Sequence, residues 1–569
     1  MSVRRPLSRR SRVRFTLTAI LLALTAVSAA FIFTAAVHPG VARADSTELS
    51  IMMDDQPLLY TSNAAALSAL ERMKGLGVNV VRVSMVWALV APDPTSNRTP
   101  AAFANANAMS DPGSYPYGAW ARYDYLDEAA HSLGMTLYFD LTGPAPNWAV
   151  AHDPNPSYGH PWSYEPNISD FQKFAEAVGT RYSGNYTTTT TSCKSQTISF
   201  GGIVIPIGPV TCTQAANPIP IPAVNWWSIW NEPDEVGWLT PQTRTYNGQR
   251  VNTSASYYRR MADAAYSGLL ATGHIDGTIL LGELTSAPNS VTRPLPFMRD
   301  LYCVGGNYQP LTGSAATALG CPASGNRATF VTSNPVLFAA TGLAYHPYSF
   351  IEPNRVIPGK PWATDLANLN NLTSTLSDVL GAYNEPTGMP IYMTEFAYVT
   401  KPPDPYGNTT LSEQATWLNQ AEYLTYLMPR VKSMAQFLLY DLPPLYQYPK
   451  GSVRYWYPFQ SGLMYLNGKT KPAYYAYRLP IWIPSQHTGQ SVYVWGQVRP
   501  AAFDGPQAAE LQFKRSDTST WQYLSTVVTT NSQGFLTTHA ALPYRGQVRL
   551  KWTDLTSGDT FYSRDVTIN

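Results

Sequence analysis

Two glutamates at the ends of short apolar runs have the residue type and the placement for acid–base chemistry. Glu232 comes shortly after "VNWWSIW", residues 224–230, and Glu395 lies near the end of "PIYMTEF", residues 390–396. Two carboxylates held across a cleft are the minimum equipment for glycoside hydrolysis, because one protonates the leaving oxygen while the other attacks the sugar or activates water. The sequence therefore predicts a carboxylate pair, provided that the fold brings these two segments together.

The tripeptide Asn-Glu-Pro, which contains Glu232, occurs twice in the chain, at residues 231–233 and 384–386. The second copy follows a helix-like segment and precedes a turn at Thr387 and Gly388, and no apolar run leads into it. We therefore predict that Glu385 is a loop residue without a role in the chemistry.

Eight predicted strands alternate with helical stretches between about residues 47 and 480, the pattern of βα units around a parallel sheet. Helices are indicated at residues 62–74, 122–133 and 168–182, and a capping box at Thr410 and Glu413 starts another. The strands are predicted at residues 48–53, 78–87, 135–141, 224–230, 278–284, 342–348, 390–396 and 433–441. This order predicts an α/β fold, a (β/α)8 TIM barrel, in which functional groups gather at the C-terminal ends of the strands. Glu232 and Glu395 then belong to strands four and seven.

The pattern of apolar and polar residues changes after residue 480. Residues 490–569 contain short runs separated by Gly, Asp, Ser and Thr turns and show no helical period, which predicts a small all-β sandwich. The runs that we read as strands are "SVYVWGQV", "AELQFKR", "WQYLSTVVT", "QVRLKWTDL" and "FYSRDVTI". We predict three regions: a leader at residues 1–44, a barrel domain at 45–485 and the sandwich at 486–569.

The first 44 residues have the form of a signal peptide. Six arginines precede an uncharged stretch over Phe15–Val37, and "ARA" at residues 42–44 resembles a cleavage site. An uncleaved membrane anchor is the alternative, because the stretch is long enough to span a bilayer. The segment contains seven of the 39 Lys and Arg residues and none of the 37 Asp and Glu, so the remaining chain carries a net charge near −5. That charge argues against a nucleic-acid partner.

Four cysteines lie in two neighbouring pairs, at 193 and 212 and at 303 and 321. In an exported chain this spacing favours disulfides within each pair, although four cysteines allow three connectivities. A metal site is the poorer interpretation, since no CxxC motif or nearby histidine cluster accompanies them. We expect neither a metal nor another cofactor.

Four motifs on successive predicted strand ends resemble those of a known group of enzymes. They are Arg82 in "RVS", "WNEP" at 230–233, "YHPY" at 345–348 and "YMTEF" at 392–396. Together they resemble the retaining glycoside hydrolases of clan A, the cellulase-like group of family 5 or 39 type, over residues 47–480. The resemblance implies that Glu232 is the acid/base, Glu395 the nucleophile and Asn231 a partner of the sugar 2-hydroxyl.

The same resemblance implies roles for the residues around the pair. Arg82 would keep Glu395 ionised by its opposite charge, and His346 and Tyr348 would line the reactive subsite. Among residues outside the motifs, we expect Glu283 and Trp148 to contact the substrate, and Asp140 and Asp441 to be structural. The group usually has a tryptophan at strand eight, where this sequence offers Tyr440 in "LLYDLPP".

Three functions fit these observations. The first is an exported retaining glycosidase acting on a poly- or oligosaccharide, monomeric and in contact with a membrane only if the leader is uncleaved. The second is an inactive carbohydrate-binding or cell-wall protein on the same barrel, which would not need two facing carboxylates. The third is an interaction protein whose working part is the sandwich at residues 490–569.

Overall fold

The computed structural model describes residues 46–154, 160–200, 203–286, 292–360, 362–489, 491–501 and 506–569. The leader predicted at residues 1–44 lies outside these ranges, so its cleavage stays a prediction. Within the described ranges, none of the helices combines the length and the apolar character needed to cross a membrane.

Eight parallel strands close into a barrel, and each pairs with the strands before and after it in the sequence. The last strand pairs with the first, with Ser433 opposite Leu49 and Phe437 opposite Met53. The barrel strands are Leu49–Met53, Val80–Val86, Thr136–Thr142, Trp226–Ile229, Thr278–Thr285, Gly342–His346, Ile391–Met393 and Val431–Phe437. Each of the eight overlaps its predicted range, which confirms the barrel, but strand eight ends at Phe437 rather than at the predicted residue 441.

A helix follows every barrel strand. Ser62 caps the first of them by accepting a hydrogen bond from the amide of Ala65, and Thr410 and Glu413 form the predicted capping box at the seventh. These helices are Asn63–Gly75, Ala121–Ser132, Ile168–Arg181, Thr253–Ala271, Pro294–Leu301, Leu369–Gly381, Leu411–Tyr426 and Pro472–Arg478. Shorter helices lie in the connections, at Asp55–Leu59, Trp87–Val90, Gly313–Ala318, Arg327–Ser333 and Val336–Ala339.

Apolar side chains from all eight strands fill one level of the barrel interior. Successive side chains of a strand point to opposite faces, so the residue two positions on points to the same face, one level nearer the carboxyl end. The apolar level consists of Ile51, Val80, Tyr138, Trp226, Leu280, Ala344, Tyr392 and Ala435, and Leu49 packs against it from one level below. Two residues further along seven of the strands stand Met53, Arg82, Asp140, Ser228, His346, Thr394 and Phe437. The level above the apolar one is therefore largely polar.

Strand five departs from this alternation through a bulge. Ala344 of strand six lies opposite Gly282, but the next residue, Tyr345, lies opposite Leu284, so Glu283 is the extra residue. Gly282 has a φ of 111° and Glu283 a φ of 53°, both in the left-handed region. A bulge re-aims a side chain, and here it turns Glu283 into the polar level of the barrel, as its contacts below show.

The four cysteines lie in two long connections between barrel strands. Cys303 and Cys321 form the predicted disulfide and staple the connection after strand five. A long hairpin, Thr187–Phe200 with Ile203–Pro220, lies between helix Ile168–Arg181 and strand four. In its ladder Cys193 faces Cys212, and Cys212 is disulfide-bonded, but the side chain of Cys193 lies outside the described part of the chain.

The C-terminal region forms two antiparallel sheets around one apolar core, which confirms the predicted β domain. The domain packs on barrel helix Leu411–Tyr426, where Arg499 forms a buried ion pair of 2.7 Å with Glu422. The sheets contain Ile481–Trp482, Ser491–Gln497 and Phe535–Ala541, and Gln507–Arg515, Gln522–Thr529, Gly546–Thr553, Thr560–Tyr562 and Val566–Ile568. The strand Phe535–Ala541 was not predicted. The division at residue 485 stays a prediction.

Candidate active site

Arg82 is the centre of the polar level inside the barrel. Its guanidinium has no exposed surface and donates to oxygen atoms contributed by four other strands or strand ends. The acceptors are Glu395 Oε1 at 2.8 Å, Asn231 Oδ1 at 2.9 Å, Asp140 Oδ2 at 3.1 Å and Glu283 Oε1 at 3.2 Å. Burial alone would lower the pKa of Arg82, but Glu283, Asp140 and Glu395 raise it well above its usual value. A permanent positive charge thus fixes the carboxylates around it.

Glu283 holds Arg82 and His346 in place from the bulge of strand five. It is fully buried, and its two oxygens accept hydrogen bonds from Arg82, Tyr138, His346 and Thr394. Burial raises the pKa of Glu283, but Arg82 and His346 outweigh that effect and hold it well below the usual range. Glu283 has no exposed surface in this structure, where its hydrogen bonds fix Arg82 and His346. Its contact with a substrate stays a prediction without structural support.

His346 links the two sides of the site. Its Nε2 lies 2.6 Å from Glu283 Oε2, and its Nδ1 lies 2.9 Å from Glu232 Oε1 and 3.8 Å from Glu395 Oε2. Burial would lower the pKa of His346, but the three carboxylates, Glu395 foremost, raise it to about 10. The imidazolium form has an N–H on both ring nitrogens, so both short contacts are charge-assisted donations, one to Glu283 and one to the carboxyl group of Glu232.

We expect the charge on His346 to give the protein a stability that alkali removes. Because its folded pKa of about 10 lies above the unfolded value near 6.5, the contribution is complete below pH 6.5 and disappears as the pH rises through 10. The loss between pH 7 and 10 is up to about 4 kcal/mol, at about 1.4 kcal/mol per pH unit. Urea denaturation at several pH values measures it, and His346→Asn is the matched variant that lacks the titrating group. Equal slopes for the two proteins would contradict the assignment.

The loop after strand four presents Glu232 to the barrel mouth. The amide of Asn231 donates to Thr142 Oγ1 at 3.0 Å, and the amide of Glu232 donates to the carbonyl of Glu283 at 2.9 Å. Trp230 has a φ of 65° and Glu232 a φ of 42°. Non-glycine residues adopt such values at a cost of about 1–3 kcal/mol and cluster at functional sites. The chain therefore accepts backbone strain to turn Glu232 inward.

Glu395 faces Glu232 from the end of strand seven. Tyr348 donates its hydroxyl to Glu395 Oε2 at 2.8 Å, on the side opposite to Arg82. One carboxylate oxygen of Glu232 and one of Glu395 lie within 4.8 Å of each other. Their side chains are 17% and 9% exposed, so a ligand can reach both. The sequence-predicted residues Arg82, Asn231, Glu232, His346, Tyr348 and Glu395 are thus all brought together.

A cation is the other possible occupant of such a cluster, since Glu232, His346 and Glu395 offer atoms within 4.8 Å of one another. A histidine binds a metal through the lone pair of a neutral ring. The pKa of His346 is raised to about 10 and both ring nitrogens face carboxylates. The donor set therefore does not suit a metal, and the site favours acid–base chemistry by the carboxylates.

Trp148 lies in an aromatic group formed by the connections after strands two and three. Its ring meets the rings of Trp87 and Phe103 edge-on at 6.0 and 5.6 Å, and its indole N–H donates to the carbonyl of Pro92. It is only 9% exposed. The geometry favours a packing role, and stacking of a sugar on Trp148 stays a prediction without structural support.

The aromatic ring at strand eight is Phe437, which the sequence reasoning missed. Its ring packs edge-on against Tyr348 at 6.3 Å. Tyr440, which was expected there, lies beyond the strand, where its amide donates to Asp54 Oδ2 at 2.9 Å. The sequence does contain a signal for Phe437, because Phe437 stands two residues after Ala435, whose side chain points into the barrel.

Two aspartates at the end of strand one were also missed. Asp55 accepts a hydrogen bond from the amide of Ser84, and burial raises its pKa to about 6. Asp54 accepts from the amides of Leu439 and Tyr440, and burial raises its pKa to about 8. Asp54 therefore joins strand one to the end of strand eight. The structural roles predicted for Asp140 and Asp441 agree with their buried ion pairs with Arg82 and Lys471.

The second Asn-Glu-Pro tripeptide lies in a loop, as predicted. Glu385 follows helix Leu369–Gly381 and precedes strand seven, and its amide donates to the carbonyl of Leu380. Cavities of about 350 and 410 Å³ also lie away from the carboxylates, beside residues 246–252 and in the C-terminal domain. Neither is lined by a member of the site.

No family model matches the chain, and no curated protein matches it. Its fold is similar to that of an endo-beta-1,4-mannanase from Thermotoga petrophila, at 12% identity and a TM-score of 0.37 over 93% of this chain and 98% of the other. It is also similar to a family 1 b-glucosidase from Thermotoga maritima, at 13% identity and a TM-score of 0.42 over 77% and 97% of the two chains. A third similar structure is GH5_18 from Streptomyces cattleya in complex with GlcNAc, at 13% identity and a TM-score of 0.41 over 76% and 78%. No substrate and no residue role follow from similarities at this level.

Proposed function

We propose that this chain is a glycoside hydrolase that cleaves O-glycosidic bonds of an oligo- or polysaccharide with retention of configuration. The observation that carries the proposal is the facing pair Glu232 and Glu395, whose nearest oxygens lie within 4.8 Å. Retaining enzymes have carboxyl groups about 5–5.5 Å apart, whereas inverting enzymes separate them by about 6.5–9.5 Å to admit a water. The short separation supports direct attack by one carboxylate.

Contacts in the site support the nucleophile role for Glu395. Arg82 and Tyr348 each donate to a different oxygen of its carboxylate, and these two hydrogen bonds fix the direction of the side chain. In the first step Glu395 attacks the anomeric carbon and forms an ester, while Glu232 gives its proton to the departing glycosidic oxygen. In the second step Glu232 removes a proton from water, whose oxygen attacks the anomeric carbon and breaks the ester. Glu232 ends protonated, as it began.

Asn231 is placed to hold the reacting sugar. Its side-chain oxygen accepts from Arg82 at 2.9 Å, so the amide NH2 is the group that it can offer to a ligand. We propose that this amide donates to the 2-hydroxyl, where hydrogen bonds strengthen as positive charge develops on the sugar ring.

Export is part of the proposal. The basic and then apolar segment at residues 1–44 has the form of a leader. The disulfide Cys303–Cys321 supports an oxidising destination, because such bonds persist outside the cytosol.

Hydrolysis of a panel of aryl glycosides and of plant and microbial polysaccharides tests the function. We expect at least one substrate to be cleaved, and proton NMR at early times to show a product with the anomeric configuration of the substrate. An inverted first product would contradict the double displacement. Binding to polysaccharides without cleavage of any substrate would favour the inactive carbohydrate-binding protein.

A further inference from the structure

We propose that a small pocket beside Glu395 binds a further neutral pyranose of the substrate, so that the enzyme recognises a sugar chain rather than the reacting sugar alone. The pocket, here called the Tyr406 pocket, has a volume of about 160 Å³. Three loops form it, at residues 348–350 after strand six, 397–409 after strand seven and 459–461 after strand eight. The inference rests on the proposed function and extends it to substrate choice.

The pocket is continuous with the reactive carboxylates through shared aromatic rings. Tyr348 lines the pocket and also donates its hydroxyl to Glu395 at 2.8 Å. The ring of Phe437 lies between Tyr348 and Phe459, at centroid distances of 6.3 and 5.4 Å, and Phe459 lines the pocket as well. A series of contacting aromatic rings therefore connects Glu395 with the pocket, which is the direction in which a chain of linked sugars would extend.

Large rings at this pocket are open to solvent. Phe350, Tyr406 and Phe459 line it and are 53%, 47% and 49% exposed. Exposed apolar surface gathered at one concave place marks a binding site. The apolar faces of sugar rings stack on aromatic rings, which bring a large contact area with a defined orientation. Three such rings around one pocket suit a pyranose.

Hydrogen bonds and packing hold the aromatic side chains of the Tyr406 pocket in place. The hydroxyl of Tyr406 donates to the carbonyl of Gly451 at 2.6 Å, and its amide donates to Asp404 Oδ1 at 2.8 Å. Tyr398, in the floor, is 2% exposed and packs against Trp417 at 5.2 Å. A preorganised surface loses little side-chain entropy when a ligand binds. The pocket is therefore built before the substrate arrives.

Size and charge define the occupant. The volume is well below the roughly 300 Å³ of pockets for drug-sized ligands, so a single ring fits. The exposed Asn408 offers its amide to hydroxyls, and Asp404 is the charged residue in the lining. A carboxylate accepts strong hydrogen bonds from hydroxyl groups and repels an acidic sugar. The pocket thus favours a neutral pyranose over a uronic acid.

The test compares an oligosaccharide with a substrate that is too short to enter the pocket. The oligosaccharides are hexasaccharides of β-1,4-linked glucose, mannose or xylose. The short substrates are the matching monosaccharide fluorides, whose leaving group is a single atom. We expect Phe459→Ala and Tyr406→Ala to lower kcat/KM for the cleaved hexasaccharide about 10-fold more than for its glycosyl fluoride, since each removes a stacking ring. Asp404→Asn should also improve the use of a uronic-acid oligosaccharide relative to the neutral one.

Tyr457→Ala is the matched control, because Tyr457 lies in the same loop, is 80% exposed and does not line the pocket. It should change neither substrate, and thermal unfolding should show that all variants are folded. Equal losses on both substrates, or no loss in either ring variant, would overturn the subsite. Failure of the proposed function is recognised separately, because then wild-type protein cleaves neither the hexasaccharides nor the fluorides.

Discussion

Glu395→Gln is expected to lower kcat at least about 10³-fold for every substrate that the wild-type protein cleaves. Glutamine has nearly the shape of glutamate, and its one oxygen can still accept from Arg82, which lies 2.8 Å from Oε1 of Glu395, while its NH2 can donate to the hydroxyl of Tyr348. It cannot form the ester with the anomeric carbon, so the first step loses its nucleophile. Steady-state kinetics on the best substrate measures the loss, and circular dichroism checks that the fold is kept.

Glu232→Ala should behave differently, because its loss depends on the leaving group. Removal of a general acid costs about 10²–10⁴-fold for a poor leaving group, whereas a dinitrophenolate departs without a proton. We expect the formation of the glycosyl ester from a dinitrophenyl glycoside to be nearly as fast as in wild type, followed by a slow second step that shows as a burst of phenolate.

The chain supplies its own control for this pair. Glu385→Gln changes the glutamate of the other Asn-Glu-Pro tripeptide, which lies in the loop before strand seven, and should leave kcat unchanged. A leaving-group effect in the Glu395 variant instead of the Glu232 variant would reverse the two roles. Full activity in Glu395→Gln would refute the mechanism.

The barrel could be predicted from the sequence because each of its strands is recognisable from a short stretch of neighbouring residues. Each barrel strand is a short apolar run between helical segments, and strand one to strand eight follow one another around the barrel in chain order. The facing of Glu232 and Glu395 follows from that order, since both stand at carboxyl ends of strands. The strand Phe535–Ala541 was missed because its "FLTTHAA" mixes polar and small residues, and only pairing with Ser491–Gln497 makes it a strand.

The site was harder to predict where an irregular backbone decides the direction of a side chain. Glu283 reads as a strand-end carboxylate that could meet a substrate, but the bulge at Gly282 and Glu283 turns it under His346 and Arg82. A bulge depends on the pairing of two strands distant in the sequence. Phe437, in contrast, follows from counting two residues along strand eight from Ala435, the same alternation that places Arg82 and His346 in the polar level of the barrel.

Arg82→Met is expected to lower the free energy of unfolding by about 3–5 kcal/mol, which is the usual effect of removing one partner of a buried charge network. Arg82 is fully buried, and its loss leaves Asp140, Glu283 and Glu395 close together with the charge of His346 alone to offset them. Methionine fills much of the volume, so the effect is electrostatic rather than a cavity. Urea denaturation followed by fluorescence measures the difference.

The pH dependence of this difference separates the charge from the packing. Burial already raises the pKa of Asp140 to about 7 in the presence of Arg82, and the pKa must rise further without it. A carboxyl whose folded pKa lies above the unfolded one stabilises the fold at low pH and loses that contribution as the pH rises. The gap between wild type and Arg82→Met should therefore widen as the pH rises from 6 to 9, because Asp140 ionises near pH 7 in wild type but only at higher pH in the variant. Arg244→Met, which breaks an ion pair of 2.9 Å with Glu165 where Arg244 is 48% exposed, should cost about 1 kcal/mol or less. A gap for Arg82→Met that is equally small, or that does not change with pH, would mean that the carboxylates of the barrel do not depend on Arg82 for their charge.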